Sequence, residues 1–374
     1  MLDFTSALYL GFRHASQDLP GWEQLTLGKP AALEPVPQSN QVEQDLAELI
    51  GCERALLATS TLHLFWDLFT VLARRRVNIF LDAGSYPIAR WGVERAASLR
   101  VAVQTFRAHD VAALRRALEV GRGGRPVIVA DGYCPGCGKL APLTEYVEAA
   151  RKHGGLVVID DSQALGIFGV RDQCSPCGRG GGGSVRRAGL NRDQAVVVGA
   201  SLAKAFGAPL AVLAGSARLV REFESQSATR VHCSPPSAAA VAAAWRALLL
   251  NRCRGDSLRL KLFQLVARFR GGLARLGLSS SGGFFPVQTL RLPARLVTEQ
   301  IHQKLRSSGV SAVLHRAGGD GSSALSFIIT ARHAAQDIDQ ALAHLAEAVA
   351  QSTPKRLERS NTSCFTDRIM AQDA

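Results

Sequence analysis

The apolar run Val157-Val158-Ile159 ends in two carboxylates, Asp160 and Asp161, and a second apolar run over 195–199 ends in Ser201-Leu202-Ala203-Lys204. Short β-branched runs of this kind read as strands buried on both faces, the signature of a parallel sheet. In an open α/β sheet, groups at the carboxyl ends of the strands face the ligand crevice. These two stretches therefore constrain the chain strongly, because they bring a carboxylate and an amine to one crevice.

The flanking sequence keeps the same rhythm. Strand-like runs at 55–58, 77–81, 101–106, 127–130 and 156–159 alternate with helical stretches at 62–72, 88–97, 111–118 and 143–152. That β-α-β alternation predicts an α/β fold with a largely parallel sheet covered by helices. Residues 1–40 carry many turn formers, among them Pro20, Gly21, Gly28, Pro30, Pro35 and Pro37, and read as an extended arm. The large domain is expected over 41–250, opening with an amphipathic helix that places Val42, Leu46, Leu49 and Ile50 on one stripe. Helices at 238–250 and 258–276 lead out of it. A small C-terminal α/β domain is expected over 251–352, with strands near 288–292 and 325–330 and a helix over 335–351. Residues 353–374 are polar and aperiodic and read as a disordered tail. The glycine-rich run 178–184 reads as a flexible loop, either a linker or a mobile lid.

Hydrophobic residues make up 47% of the chain, as expected of a soluble globular enzyme. No apolar run approaches the roughly eighteen residues of a membrane span, and Met1-Leu2-Asp3-Phe4 does not open a signal peptide, so the expected location is cytoplasmic. The net charge of +13 is spread along the chain. It fits either a genome that favours arginine or an attraction to polyanions such as coenzyme A or an acidic acyl carrier protein. No nucleic-acid-binding motif accompanies it, so nucleic acid is not an expected partner. Eight cysteines without a signal peptide argue against a disulfide scaffold. Four of them form C-x-x-C pairs, Cys134/Cys137 and Cys174/Cys177, with the spacing of a four-thiolate structural zinc site. The alternatives are unrelated loop thiols or a redox-sensitive pair.

A lone lysine is usually a solvated surface charge, and a strand-end aspartate often only caps a turn. Lys204, however, lies between Ala203 and Ala205-Phe206 beyond an apolar strand, where burial would lower its pKa and make it a nucleophile toward an aldehyde. Asp160 could hold a pyridine nitrogen protonated. Together these are the requirements of pyridoxal phosphate chemistry. The segment 201–208 resembles T-L-S-K-A-x-G-x of the fold-type I pyridoxal-phosphate enzymes and, within them, of the α-oxoamine synthases. The resemblance extends over roughly residues 3 to 345.

It implies that Lys204 carries the cofactor as a Schiff base, that Asp160 holds the ring nitrogen, and that Ser201 contacts the phosphate. Gln163 stands where the family has a histidine near the phenolic oxygen; it can donate a hydrogen bond but cannot titrate. Tyr86, in Asp82-Ala83-Gly84-Ser85-Tyr86-Pro87, resembles the ring-stacking histidine of D-x-x-N-H-A. Ser60, Thr61 and Leu62 fall in a strand-to-helix turn similar to the phosphate-binding S-G-x-x-A-N. Asp131-Gly132-Tyr133, followed by Leu140-Ala141-Pro142-Leu143, resembles E-G-x-x-S-M-D-G-D-x-A-P-L, with the middle replaced by Cys-Pro-Gly-Cys-Gly-Lys, and places Asp131 beside the cofactor. Ser6-Ala7-Leu8-Tyr9-Leu10-Gly11 is similar to S-N-D-Y-L-G.

Both arginines of the family's R-L-R motif are replaced, by Ala324 and Ser326. Either Arg332 or Arg316 takes over the carboxylate, or the substrate is not an ordinary α-amino acid. The family is homodimeric, and 231–236, with His232 or Thr229, would approach the partner's phosphate. The implied reaction condenses the carbanion of a small amine or amino acid with an acyl thioester. The alternatives are an aminotransferase, lyase or decarboxylase on an atypical amine, or a non-catalytic scaffold, which Asp160 and Lys204 argue against.

Overall fold

The computed structural model describes residues 1–352 except 122, 174, 294, 295 and 318–321. Its centre is a seven-stranded sheet. In chain order the strands are β1 (Arg54–Ala58), β2 (Val77–Asp82), β3 (Ala102–Phe106), β4 (Arg125–Asp131), β5 (Leu156–Asp160), β6 (Val196–Ser201) and β7 (Ala211–Gly215). Their spatial order is β1-β7-β6-β5-β4-β2-β3. The pairs β6/β5, β5/β4, β4/β2 and β2/β3 are parallel, whereas β7 runs antiparallel to both β6 and β1.

The unbroken apolar runs follow from burial of both faces. Ile128, Val157, Ile159, Val196 and Val198 point into one hydrophobic cluster, and Val127, Val129, Val158 and Val197 into the other. Alternation along each strand feeds both layers. The helices Thr61–Ala73, Pro87–Ser98 and Ala217–Gln226 supply Phe65, Phe69, Val93 and Phe223 to one layer. The helices Ser39–Ile50, Val111–Val120 and Leu143–Lys152 supply Leu46, Ile50, Leu114 and Tyr146 to the other.

The two helices expected over 238–250 and 258–276 are one helix of 38 residues, Ala238–Arg275. The polar stretch around Gly255 reads as a break but is a packing site. A Cβ at Gly255 would collide with Asn251 Oδ1 and the Arg259 guanidinium. That buried guanidinium donates to Asn251 Oδ1 at 2.8 Å and to the Gly166 carbonyl at 3.0 Å, and ion-pairs with Asp256. Beyond the helix lies a four-stranded antiparallel sheet of β8 (Ser279–Ser281), β9 (Val287–Arg291), β10 (Val313–Ala317) and β11 (Ser322–Ile328), in the order β8-β9-β11-β10. The first residues join this part of the molecule. Leu2–Asp3 pairs in parallel with Val310–Ser311, and Phe4 stacks on His333 at 4.4 Å.

The run 178–184 is packed into the fold rather than crossing it as a free linker. It leaves the hairpin strand Ser175–Arg179 and enters the short helix Gly183–Ala188, packed under the end of β5. Asp161 is fully buried and accepts hydrogen bonds from Ser184 N, at 3.0 Å, and from Ser184 Oγ. Gly183 has φ +86°, and a Cβ there would collide with Asp161 Oδ2. Glycine is demanded both by the left-handed conformation and by the close approach. The tail expected over 353–374 lies outside the described residues. Among the described residues no helix is long and apolar enough to cross a membrane.

Gly183→Ala is expected to destabilise the protein by about 2 kcal/mol or more, since it combines left-handed strain with a steric clash. A urea midpoint unchanged from the wild type would contradict the packing described.

Candidate active site

The parallel register of β4 and β5 sets Asp131 directly opposite Asp160. Both carboxylates are buried at the carboxyl ends of their strands. Asp131 Oδ1 accepts from Tyr86 N at 3.0 Å, and Asp160 Oδ1 from Ser162 N at 3.0 Å. Burial, followed by the charge of Asp160, holds Asp131 well above the usual carboxylate range. Burial also raises Asp160, against the opposing pull of Ser162 and Lys204.

Lys204 sits in the turn between β6 and β7. Leu202 N bonds to Leu210 O at 2.9 Å across the base of that turn, and buried Leu202, Ala205 and Phe206 anchor it in the core. Burial lowers the Lys204 pKa, while Asp160 and then Asp131 pull it back up. Ser162 Oγ accepts from Ser201 N at 2.9 Å, so the residue that positions Asp160 also latches the lysine turn to β5.

Tyr86 caps the helix Pro87–Ser98, and proline at the first helical position fixes where that helix starts. Its ring is 49% exposed, and Lys204 Nζ lies 5.6 Å from the ring centroid. The turn before it is held by Asp82, which accepts from Gly84 N at 2.7 Å and Tyr146 Oη at 2.8 Å. The helix Thr61–Ala73 begins after Ser60, whose Oγ accepts from His63 N at 3.3 Å. Gln163 Oε1 accepts from Tyr9 Oη at 2.6 Å, which leaves the Gln163 amide NH₂ free to donate.

These elements enclose a cavity of about 140 Å³ lined by Thr61, Tyr86, Ile88, Asp131, Asp160, Ser162, Gln163, Ser201 and Lys204. Seven of the nine residues expected at the cofactor thus meet at one place. Ser60 and Leu62 are not among the lining residues: Ser60 is occupied as a helix cap, and Leu62 is exposed beside it. Ser162, Ile88 and Tyr9 were missed as site residues. The serine of Asp-Asp-Ser-Gln was the available signal for Ser162, and the S-N-D-Y-L-G likeness the signal for Tyr9. A larger cavity, about 330 Å³, lies against arm residues 20–27, but Glu23 is its one ionisable lining residue and it offers no catalytic set.

Two buried carboxyl groups, Asp131 and Asp160, face the single lysine amine among the described lining residues. That arrangement suits a ligand with a cationic, proton-bearing nitrogen.

The residues considered for substrate carboxylate binding lie elsewhere. Ser326 is buried and hydrogen-bonds to Thr289 Oγ1 at 2.7 Å and to His315 Nε2 at 2.8 Å. Arg316 and Arg332 are exposed, and neither lines the cavity. Thr229 Oγ1 donates to Asp67 Oδ2 at 2.6 Å, and His232 is exposed.

The described residues do not assemble the expected four-thiolate zinc centre. Cys177 is buried in the hairpin strand Ser175–Arg179, whereas Cys137 is exposed on the turn beyond β4. Among the described residues no group of three or more His, Cys, Asp or Glu could hold a metal ion; Cys174 lies outside the described residues.

The family described as aminotransferase class I and II matches residues 14–345. The 8-amino-7-oxononanoate synthase of Sodalis glossinidius is 30% identical over 94% of this chain and 89% of its own length. That of Alkalilimnicola ehrlichii is 29% identical over 84% of this chain and 78% of its own. Among solved structures, the Sphingomonas wittichii serine palmitoyltransferase superposes with a TM-score of 0.80 at 21% identity, covering 94% of this chain and 87% of that one. The 8-amino-7-oxononanoate synthase of Francisella tularensis gives 0.73 at 16% identity, covering 94% and 98%.

Lys204 supplies the one amine among the cavity-lining side chains. Borohydride reduction in the presence of pyridoxal phosphate is therefore expected to fix the pyridoxyl group on Lys204, and Lys204→Ala to lose that label. Peptide mapping that finds the group on another lysine would refute the assignment.

Proposed function

The chain belongs to the aminotransferase class I and II family, and on that premise we propose that it is a pyridoxal-phosphate-dependent transferase that condenses an amine-derived carbanion with an acyl thioester. The observation that carries this reading is the meeting of Lys204, Asp160 and the Tyr86 ring at one cavity. Relatives named 8-amino-7-oxononanoate synthase support the condensing reaction over transamination.

The residues suit the cofactor group by group. Lys204 Nζ would hold its aldehyde carbon, and Asp160 its ring nitrogen, which supplies the cation that the paired carboxylates call for. The half-exposed Tyr86 ring would cover one face. The N-terminus of the helix Thr61–Ala73 and the Ser201 hydroxyl would take the phosphate. Gln163 would donate its amide N–H to the phenolic oxygen. Bound there, pyridoxal phosphate supplies an electron sink that accepts the electron pair left when a bond at Cα breaks.

This chain's residues do the rest. Asp160 would keep a proton on the ring nitrogen, because a buried carboxylate is stabilised by a cationic N–H partner. Lys204 would take the Cα proton at Nζ; burial favours its neutral form and so its service as a base. Gln163 cannot titrate, so acid–base work at the phenolic end also rests on Lys204. Tyr9 orients Gln163 by holding its carbonyl oxygen.

The reading includes a homodimer. Leu62, Trp66, Tyr86 and Trp91 are large, exposed and apolar, and they lie at or in two helices that pack on each other beside the cavity. Such a surface suits a second copy of the chain. The thioester would come from coenzyme A or an acyl carrier protein, toward which the +13 net charge is attractive. A cytoplasmic location accords with the free thiols.

The deciding experiment offers amines with acyl thioesters and measures free thiol. Amine-dependent thiol release that disappears in Lys204→Ala supports condensation; an oxo product without thiol release would instead support an aminotransferase. Asp160→Asn is expected to slow exchange of the substrate α-proton roughly a hundredfold or more, because electrostatic stabilisation of the carbanion is lost. Exchange at the wild-type rate would contradict the role given to Asp160. Glycine, alanine and serine are expected to bind weakly, since among the described residues no arginine lines the cavity and a charge-assisted contact is worth about 1.5–3 kcal/mol. Tight, saturable spectral titration with these amino acids would count against that expectation.

A further inference from the structure

We propose that Cys134 and Cys137 form a thiol–disulfide exchange site on the rim of the cleft, with Cys137 attacking an external small-molecule disulfide and Cys134 resolving it. This reading does not depend on the condensation chemistry, and it accounts for a motif that the cofactor site leaves unused.

The two sulfurs share one tight turn. The ladder Tyr133–Cys134 with Lys139–Leu140 closes over residues 135–138, pairing Cys134 with Lys139. Gly138 N bonds to the Cys134 carbonyl at 2.8 Å, and Gly138 takes φ +70° to make the turn. Cys137 N donates to Cys134 Sγ at 3.4 Å, and Cys137 Sγ to the Cys134 carbonyl at 3.6 Å. Each thiol is thereby held over the other residue's backbone, so closing the bond asks for rotation about the side chains rather than movement of the chain. The turn is anchored on both sides. Tyr133 is buried and donates to the Gly282 carbonyl at 2.7 Å, and His109, fixed through its N–H to Asp82 Oδ2 at 3.0 Å, stands 3.8 Å from Cys137 Sγ.

The two thiols differ in the way an attacking and a resolving sulfur must. Cys137 is exposed; the hydrogen bond from the Cys134 thiol comes first, and with the backbone N–H groups and the charge of Lys139 it brings the thiol down to about 7. Cys134 is half-buried, and its hydrogen bond to Cys137 followed by burial keeps it protonated. The other described thiols lack this arrangement. Cys177 is buried, burial pushes Cys52 up to about 12, and Cys253 is exposed but has no thiol partner on its helix.

The chemistry balances without a metal. The Cys137 thiolate attacks one sulfur of RSSR, forming a mixed disulfide and releasing one RS⁻. Cys134 then attacks the Cys137 sulfur, its proton passing to solvent, and the second RS⁻ leaves. The two cysteines are oxidised to one disulfide, and RSSR is reduced to two thiols.

The test uses the purified full chain, freed of reductant and incubated with oxidised glutathione across a series of glutathione ratios. Peptide mass mapping should find a Cys134–Cys137 disulfide formed reversibly, with loss of two hydrogens. Cys134→Ser should trap one glutathione on Cys137, with that residue modified roughly fivefold faster than Cys253 at neutral pH. Cys137→Ser should lose the fast reaction. Glutathione on Cys253 at an equal or greater rate than on Cys137, or no Cys134–Cys137 bond under oxidising ratios, would overturn the proposal. Thermal melting of each serine variant distinguishes a lost site from a lost fold, and mapping of the wild-type chain stands independently of both variants.

Discussion

Asp131 and Asp160 lie in register at the ends of neighbouring parallel strands, buried, and facing a cavity to which, among the described lining residues, Lys204 contributes the one amine. Two like charges so placed raise each other's affinity for a proton, and burial adds to the effect. The local structure meets this load in separate ways. The Tyr86 N–H serves Asp131, the Ser162 N–H serves Asp160, and the Ser162 hydroxyl ties the lysine turn to the same strand end. The site is thus a consequence of strand register. A slip of one residue between β4 and β5 would turn one carboxylate into the core.

The same parity separates two adjacent aspartates with different work. Asp160 faces the cavity, while Asp161 points away, to Ser184 in the first turn of the helix Gly183–Ala188. Burial pushes Asp161 up to about 6 even with two donors on it. Its role is to fasten the 178–184 segment beneath β5, which is why that segment contains glycines without being loose.

Much of this was legible in the sequence because period and chemistry agreed. The strands ending at Asp131, Asp160 and Ser201 stand where their apolar runs end, and the residues that line the cavity are largely those the strand ends expose. What misled was composition read without packing. The sequence reads as two helices, 238–250 and 258–276, yet between them buried Arg259 bonds Asn251 beside Gly255 and the helix continues. Glycines at 178–184 suggested flexibility, yet a Cβ at Gly181 or Gly183 would strike Arg259 or Asp161. Cysteine spacing suggested metal; among the described residues no cluster that could hold one is found, and Cys174 lies outside them. The hydrogen bond from Tyr9 to Gln163 joins residues far apart in sequence and leaves no local pattern.

That last contact bears on how the cleft is built. Residues 2–12 run from the edge of the C-terminal part, where Phe4 packs on Phe327 and His333, to the cavity wall, where Tyr9 meets Gln163 and Phe285. Phe285 in turn stacks on Tyr133 at 4.2 Å, and the Tyr133 hydroxyl reaches Gly282. A buried aromatic chain therefore links the arm, the four-stranded sheet and the residue that precedes Cys134. Ser326, on the same sheet, spends its hydroxyl on Thr289 and His315 and offers no cation to the cleft. The C-terminal part thus bears on the site through apolar packing, Phe285 against Tyr9, and Tyr9 in turn holds Gln163. Among the described residues the cavity wall offers hydrogen bonding to a ligand through Gln163, whose orientation Tyr9 fixes by donating to its carbonyl oxygen.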